Sequence, residues 1–152
     1  MKRWITVSVA ILLLISGCSA ASQSQVQTTP AEPTCTSTQT REGRAWIEGQ
    51  LKAFGDSDLE SAYTFASQSF QARSSFEQFS LIIVSNYGFL LELGSYEVVS
   101  CSKRGEFFLF AVEVIDKQGE KYPMEYMLSR QGATWGVDAA LVTMSDGQPS
   151  YL

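Results

Sequence analysis

The side chains equipped for covalent or acid–base chemistry in this 152-residue chain are three cysteines, sixteen carboxylates and six tyrosines, and there is no histidine. Without imidazole, a serine or cysteine nucleophile has no histidine base to activate it, and zinc sites built on histidine are excluded. Carboxylates alone can hold a calcium ion, but the acidic residues do not recur at the alternating spacing of a calcium loop. Asp56, Asp58 and Glu60 come nearest. They lack the central glycine and enough ligands, and they read instead as the capped start of a helix. Glycine-rich phosphate loops, Cys-x-x-Cys pairs and internal repeats are absent. No metal and no cofactor is expected.

The cysteines carry the clearest message. Lys2 and Arg3 precede an apolar run over residues 4–15, which stops at Ser16, Gly17 and Cys18. A positive end, about a dozen apolar residues and small residues beyond them make an export signal, too short for a membrane span. Ile15-Ser16-Gly17-Cys18 resembles the bacterial lipobox. That resemblance implies that residues 1–17 are a lipoprotein signal peptide and that Cys18 becomes the lipid-modified first residue. Its acyl chains would anchor the protein stably to an extracytoplasmic membrane face, the outer face of the cell membrane or an outer membrane. Two alternatives stay open: cleavage after Ala20 or Ala21, releasing a soluble secreted protein, and an uncleaved anchor.

The next stretch, residues 18–41, is built mostly of Ser, Thr, Gln, Ala and Pro. It has too little apolar surface for a core and reads as a disordered tether. Export also changes what the other two thiols mean. An oxidising compartment favours a disulfide between Cys35 and Cys101, with two unpaired thiols as the alternative. Loss of Lys2 and Arg3 leaves nine basic against sixteen acidic residues, a net charge of −7. Scattered cations on an acidic chain do not suit nucleic acid.

Behind the tether, residues 42–144 have the apolar content of one domain, with residues 145–152 as a loose tail. Ile47, Leu51 and Phe54 fall at helical spacing, which predicts a first helix over residues 42–54. Ser57 with Glu60 has the form of a capping box opening a second, and Ser74 with Glu77 opens a third, striped by Phe76, Phe79, Ile83 and Tyr87. Beyond Gly94 the period changes to two, and glycines punctuate four strands near residues 96–102, 106–115, 121–130 and 134–142. Phe108, Phe110, Val112 and Val114 share one face of the second strand, and Tyr122, Met124, Tyr126 and Leu128 one face of the third. Phe107, Leu109 and Ile115 make the opposite face apolar too, so both sides are expected to be partly covered. Helices first and hairpin-connected strands second give an α+β fold, three helices on a curved four-stranded antiparallel sheet.

Trp46-Ile47-Glu48-Gly49-Gln50-Leu51-Lys52-Ala53-Phe54, followed by residues 58–67, resembles the opening of nuclear-transport-factor-2-like domains. The later runs, residues 75–79 and 133–137, are similar to a bacterial family of that superfamily classed as a domain of unknown function. The resemblance implies a cone with a pocket between the helices and the concave sheet, but members include enzymes and non-enzymatic modules alike. An isomerase or cyclase relative would use a carboxylate base beside a tyrosine donor. The candidates are Glu125 and Asp138, with Tyr63, Tyr87 and Tyr126 as donors. The plainer reading makes the tyrosines packing residues and the two carboxylates solvent-facing strand positions. Phe107, Phe108, Phe110, Met124 and Met127 would line a ligand groove or simply fill the core. The expected partners are therefore the membrane, through the anchor, and either an envelope protein or a small apolar ligand. A homodimer through the sheet is a further expectation, and the leading reading is non-catalytic.

Overall fold

Thr36 starts the first helix: its hydroxyl accepts from the Gln39 amide at 3.3 Å while the Gln39 side chain accepts from the Thr36 amide at 2.9 Å. In the computed structural model, which describes residues 33–143, helix α1 accordingly runs Ser37–Gly55. The apolar spacing predicted a start at residue 42, and residues 37–41 were assigned to the tether. A polar first turn carries no apolar stripe to reveal it, and the capping box supplies the signal instead. The signal peptide, Cys18, residues 18–32 of the tether and the tail at 145–152 lie outside the described residues.

Two further caps fall one residue later than the sequence patterns indicate. Ser57 adopts φ 60° and closes α1, its amide donating to Phe54 O while the Asp58 amide donates to Ala53 O, both at 2.8 Å. With Ser57 spent on that closure, Asp58 caps helix α2 (Leu59–Thr64), accepting from the Ser61 amide at 2.9 Å. These hydrogen bonds hold the Asp58 carboxyl below the usual carboxylate range, the Ser61 hydroxyl contributing most. Ser74 likewise closes the preceding turn by donating to Phe70 O. Ser75 therefore caps the next long helix, in a capping box with Gln78.

Between them lies a one-turn helix that no periodicity marked. Among the described residues there are thus four α-helices and one 3-10 turn where three helices were expected: α3 spans Gln68–Gln71, α4 Phe76–Asn86, and the 3-10 turn Gly88–Leu90. Four antiparallel strands follow in sequence order, β1 Leu93–Arg104, β2 Phe107–Asp116, β3 Lys121–Gln131 and β4 Thr134–Val142. Gly105, Gly119 and Gly132 all take positive φ in the connecting turns, a conformation that costs glycine little.

The core forms where α1 lies on the sheet. Ile47, Leu51 and Phe54 from the helix meet Phe110, Val112, Tyr126 and Leu128 from the strands, all buried. Contact is close enough that a methyl group at Gly43 would run into the Phe110 ring. The opposite sheet face is covered unevenly: Leu109 is buried, but Phe107 keeps 39% of its surface exposed. At the β1 edge, Cys35 is bonded to Cys101 across 66 residues, with their Cα atoms 5.6 Å apart. Thr34 pairs with Ser102 beside it, and the Lys103 amide donates to Pro33 O at 2.8 Å.

Candidate functional site

Helix α4 packs only one side of its stripe inward, Phe79 and Ile83, and the space it leaves against α1, β3 and β4 is a cavity of about 100 Å³. Its walls are apolar, built from Phe54, Phe79, Ile83, Leu90, Met124 and Val137, with Gln50 and the phenols of Tyr87 and Tyr126 as the polar exceptions. Gln50 is buried and its amide donates to Ala62 O at 3.1 Å, which fixes its orientation.

Tyr126 is fully buried, and its hydroxyl has no hydrogen-bond partner among the described residues. Such a group costs about 1–3 kcal/mol relative to one that is satisfied. Burial, with a smaller contribution from Tyr87 nearby, pushes its pKa well up, and burial raises Tyr87 as well. Both therefore remain protonated donors at neutral pH. The volume far exceeds what one water occupies, and an apolar cavity of this size can accept small apolar molecules.

The five residues singled out by the sequence separate. Tyr87 and Tyr126 come together at the cavity. Tyr63 does not line it: its hydroxyl donates to Ser74 O at 2.7 Å and its ring packs against Phe76 and Phe79. Glu125 lies between the inward-facing Met124 and Tyr126, so alternation puts it on the other face of the sheet, paired with Ala111 and Leu141. Asp138 is also outside the cavity lining, yet it is not solvent-facing. It occupies a bulge in β4 opposite Met127 and Leu128 and is 8% exposed. There Asp138 Oδ1 accepts from the hydroxyls of Ser67 and Ser69, each at 2.6 Å.

That arrangement latches the helices to the sheet. The Ser67 amide donates to Val137 O and the Val137 amide to Phe65 O, so the link between α2 and α3 continues the sheet at its β4 edge. Sequence reasoning missed Ser67 and Ser69 because a bulge leaves no trace in an alternating pattern. Gln50 stands alongside Ile47 and Leu51 on the apolar side of the first helix, but nothing in its residue type singled it out as a site residue. Of the aromatic and methionine cluster, Phe108 and Phe110 fill the core, Met124 reaches the cavity, and Met127 lies on the opposite face. Among the described residues no group of three or more His, Cys, Asp or Glu side chains is placed to hold a metal ion.

The fold and the cavity define a small α+β domain in which a helical layer closes imperfectly on an antiparallel meander. Residues 36–149 match the family described as a domain of unknown function (DUF4864), and the chain belongs to that family. The match begins at Thr36, the residue that caps α1. No curated protein matches the chain.

Proposed function

We propose that this protein is an exported lipoprotein, anchored through Cys18, whose nuclear-transport-factor-2-like domain binds a small apolar ligand carrying one hydrogen-bond acceptor. One observation carries the binding: a fully buried Tyr126 hydroxyl without a partner, on a side chain that lines an apolar cavity. A ligand carbonyl or ether oxygen accepting from that hydroxyl would remove the desolvation cost, and the walls would supply the rest of the affinity. The anchor rests on the lipobox-like residues 15–18 and on the short apolar run before them. An isomerase or cyclase would need a carboxylate base within reach of the ligand, and none of the residues lining the cavity carries one.

Methyl NMR of the full chain with cyclopentanone and cyclopentane tests the site. Cyclopentanone should shift the Ile83 and Met124 methyls and bind more tightly than cyclopentane, by about three- to tenfold for one neutral hydrogen bond. Tyr126→Phe should erase that preference. Undisturbed methyls with both compounds would refute the binding reading. Radiolabelled fatty acid should enter the wild type and not Cys18→Ala; label in both, or in neither, would refute the anchor.

A further inference from the structure

Helix α4 is apolar on both sides. Phe79 and Ile83 point inward, while Leu81 is 67% exposed, Val84 60% and Ile82 43%, with Phe76 exposed at the start of the helix. Scattered exposed apolar side chains are ordinary, but a cluster on one helix marks a surface that meets something. The cluster is continuous with the cavity, because Ile82 lines it and is also exposed. In a chain with sixteen acidic residues, the fourteen from Gln78 to Leu91 contain no charge.

We infer that this face of α4 docks on the lipid bilayer, seating Phe76, Leu81, Ile82 and Val84 at the headgroup–acyl boundary and turning the cavity toward it. The inference rests on the lipoprotein reading, which supplies the bilayer. Fifteen residues separate Cys18 from Pro33, a chain that reaches at most about 50 Å. That exceeds the roughly 13 Å radius of gyration of a domain near 100 residues, so an anchor at Cys18 leaves any face free to reach the membrane. A soluble acidic partner or a nucleic acid would ask for cations on this surface; Glu77 opens the helix on the side of Leu81 and Val84, and beyond it the uncharged aliphatic side chains suit acyl chains. Insertion of such a face runs about 5–10 Å deep, enough for the Leu81 and Val84 side chains.

The test uses the full lipidated chain in vesicles of phosphatidylcholine mixed with its dibrominated form, which quenches tryptophan. Tryptophan is placed at Leu81 in one variant and at Val99 in the other. Val99 is 61% exposed on the edge strand next to the disulfide, making it an equally apolar and accessible control. Sedimentation with vesicles reports the anchor independently of quenching. Docking predicts that Leu81→Trp is quenched about twofold or more relative to Val99→Trp, as insertion to that depth requires. Sedimentation with equal quenching, or with none, would overturn docking and leave the anchor standing. Failure to sediment would overturn the lipoprotein reading and this inference with it. An unquenched Leu81→Trp with blue-shifted emission and a doubled mass in ultracentrifugation would assign the face to a second copy and overturn docking too. Near-ultraviolet circular dichroism confirms that each variant is folded, and Val84→Trp replaces Leu81→Trp if it is not.

Discussion

The β1 edge and the α4 corner are built from similar residue types to opposite ends. At the edge, Pro33 and Thr34 pair with β1, the Cys35–Cys101 bond crosses 66 residues, and the Arg44 guanidinium donates to Val98 O at 2.6 Å beside a bulge in β1. At the corner, a cavity stays open, the hydroxyls of Tyr126 and Ser80 are buried without partners, and three aliphatic side chains of α4 face outward. Loose packing and unmet hydrogen bonds each cost stability. Tyr126 and Ser80 account for two of the four buried polar atoms without partners among the described residues, the others being Trp135 Nε1 and Asp138 Oδ2 on β4. The corner therefore differs from the staple chiefly in its open cavity and uncovered helix face. The rest of the domain offsets that cost.

Breaking the staple is the largest test of this contrast. Replacing Cys35 and Cys101 by serine should lower unfolding stability by roughly 4 kcal/mol in the chain-entropy model. Urea unfolding measures it, and reductant should destabilise the wild type but leave the double variant unchanged. Next is the corner itself. Ile83→Ala should cost about 2 kcal/mol, the low end for such truncations because the site already opens on a cavity. The same variant should accept ligands too large for the wild type; a loss of about 4–5 kcal/mol would mean that the corner is packed as tightly as the core.

Tyr126→Phe should be neutral or stabilising by up to about 1 kcal/mol, because it removes an unmet donor from the interior. The pH dependence follows from the same group. The folded pKa of Tyr126 lies above its unfolded value near 10, so the folded state keeps a proton that the unfolded chain loses. Its contribution is complete below that pH and is lost as pH rises above it. Thermal midpoints between about pH 8 and pH 11 should therefore fall less steeply in Tyr126→Phe than in the wild type, and equal slopes would place the tyrosine in contact with solvent. The smallest effect belongs to the outer face of α4: Leu81→Ser should change stability by no more than about 0.5 kcal/mol. A larger loss would show that the residue packs against part of this chain.

Much of the architecture is legible in the residues. The β4 boundaries, the disulfide and the inward-facing rows of β2 and β3 follow from alternation, glycine turns and the pair Cys35 and Cys101. The caps were harder. Ser57 and Asp58 are both good cap residues, and which one serves depends on whether Ser57 is already closing α1 in a left-handed conformation. Site residues were read least well. Tyr126 follows from alternation as an inward position, but its missing partner is a property of what α4 fails to cover. Asp138 was misassigned because a single extra residue in β4 turns its side chain toward Ser67 and Ser69.

Local chemistry along the chain determined the α+β order, the strand faces and the absence of imidazole chemistry, because apolar period, glycine and composition act over a few residues. Tertiary structure alone decided that Tyr87 and Tyr126 share a cavity while Glu125 and Asp138 stay out of it. It also decided that half of an apolar helix remains uncovered. Those outcomes depend on how segments far apart in sequence fill, or fail to fill, a common space, and no local pattern of residue types records that volume.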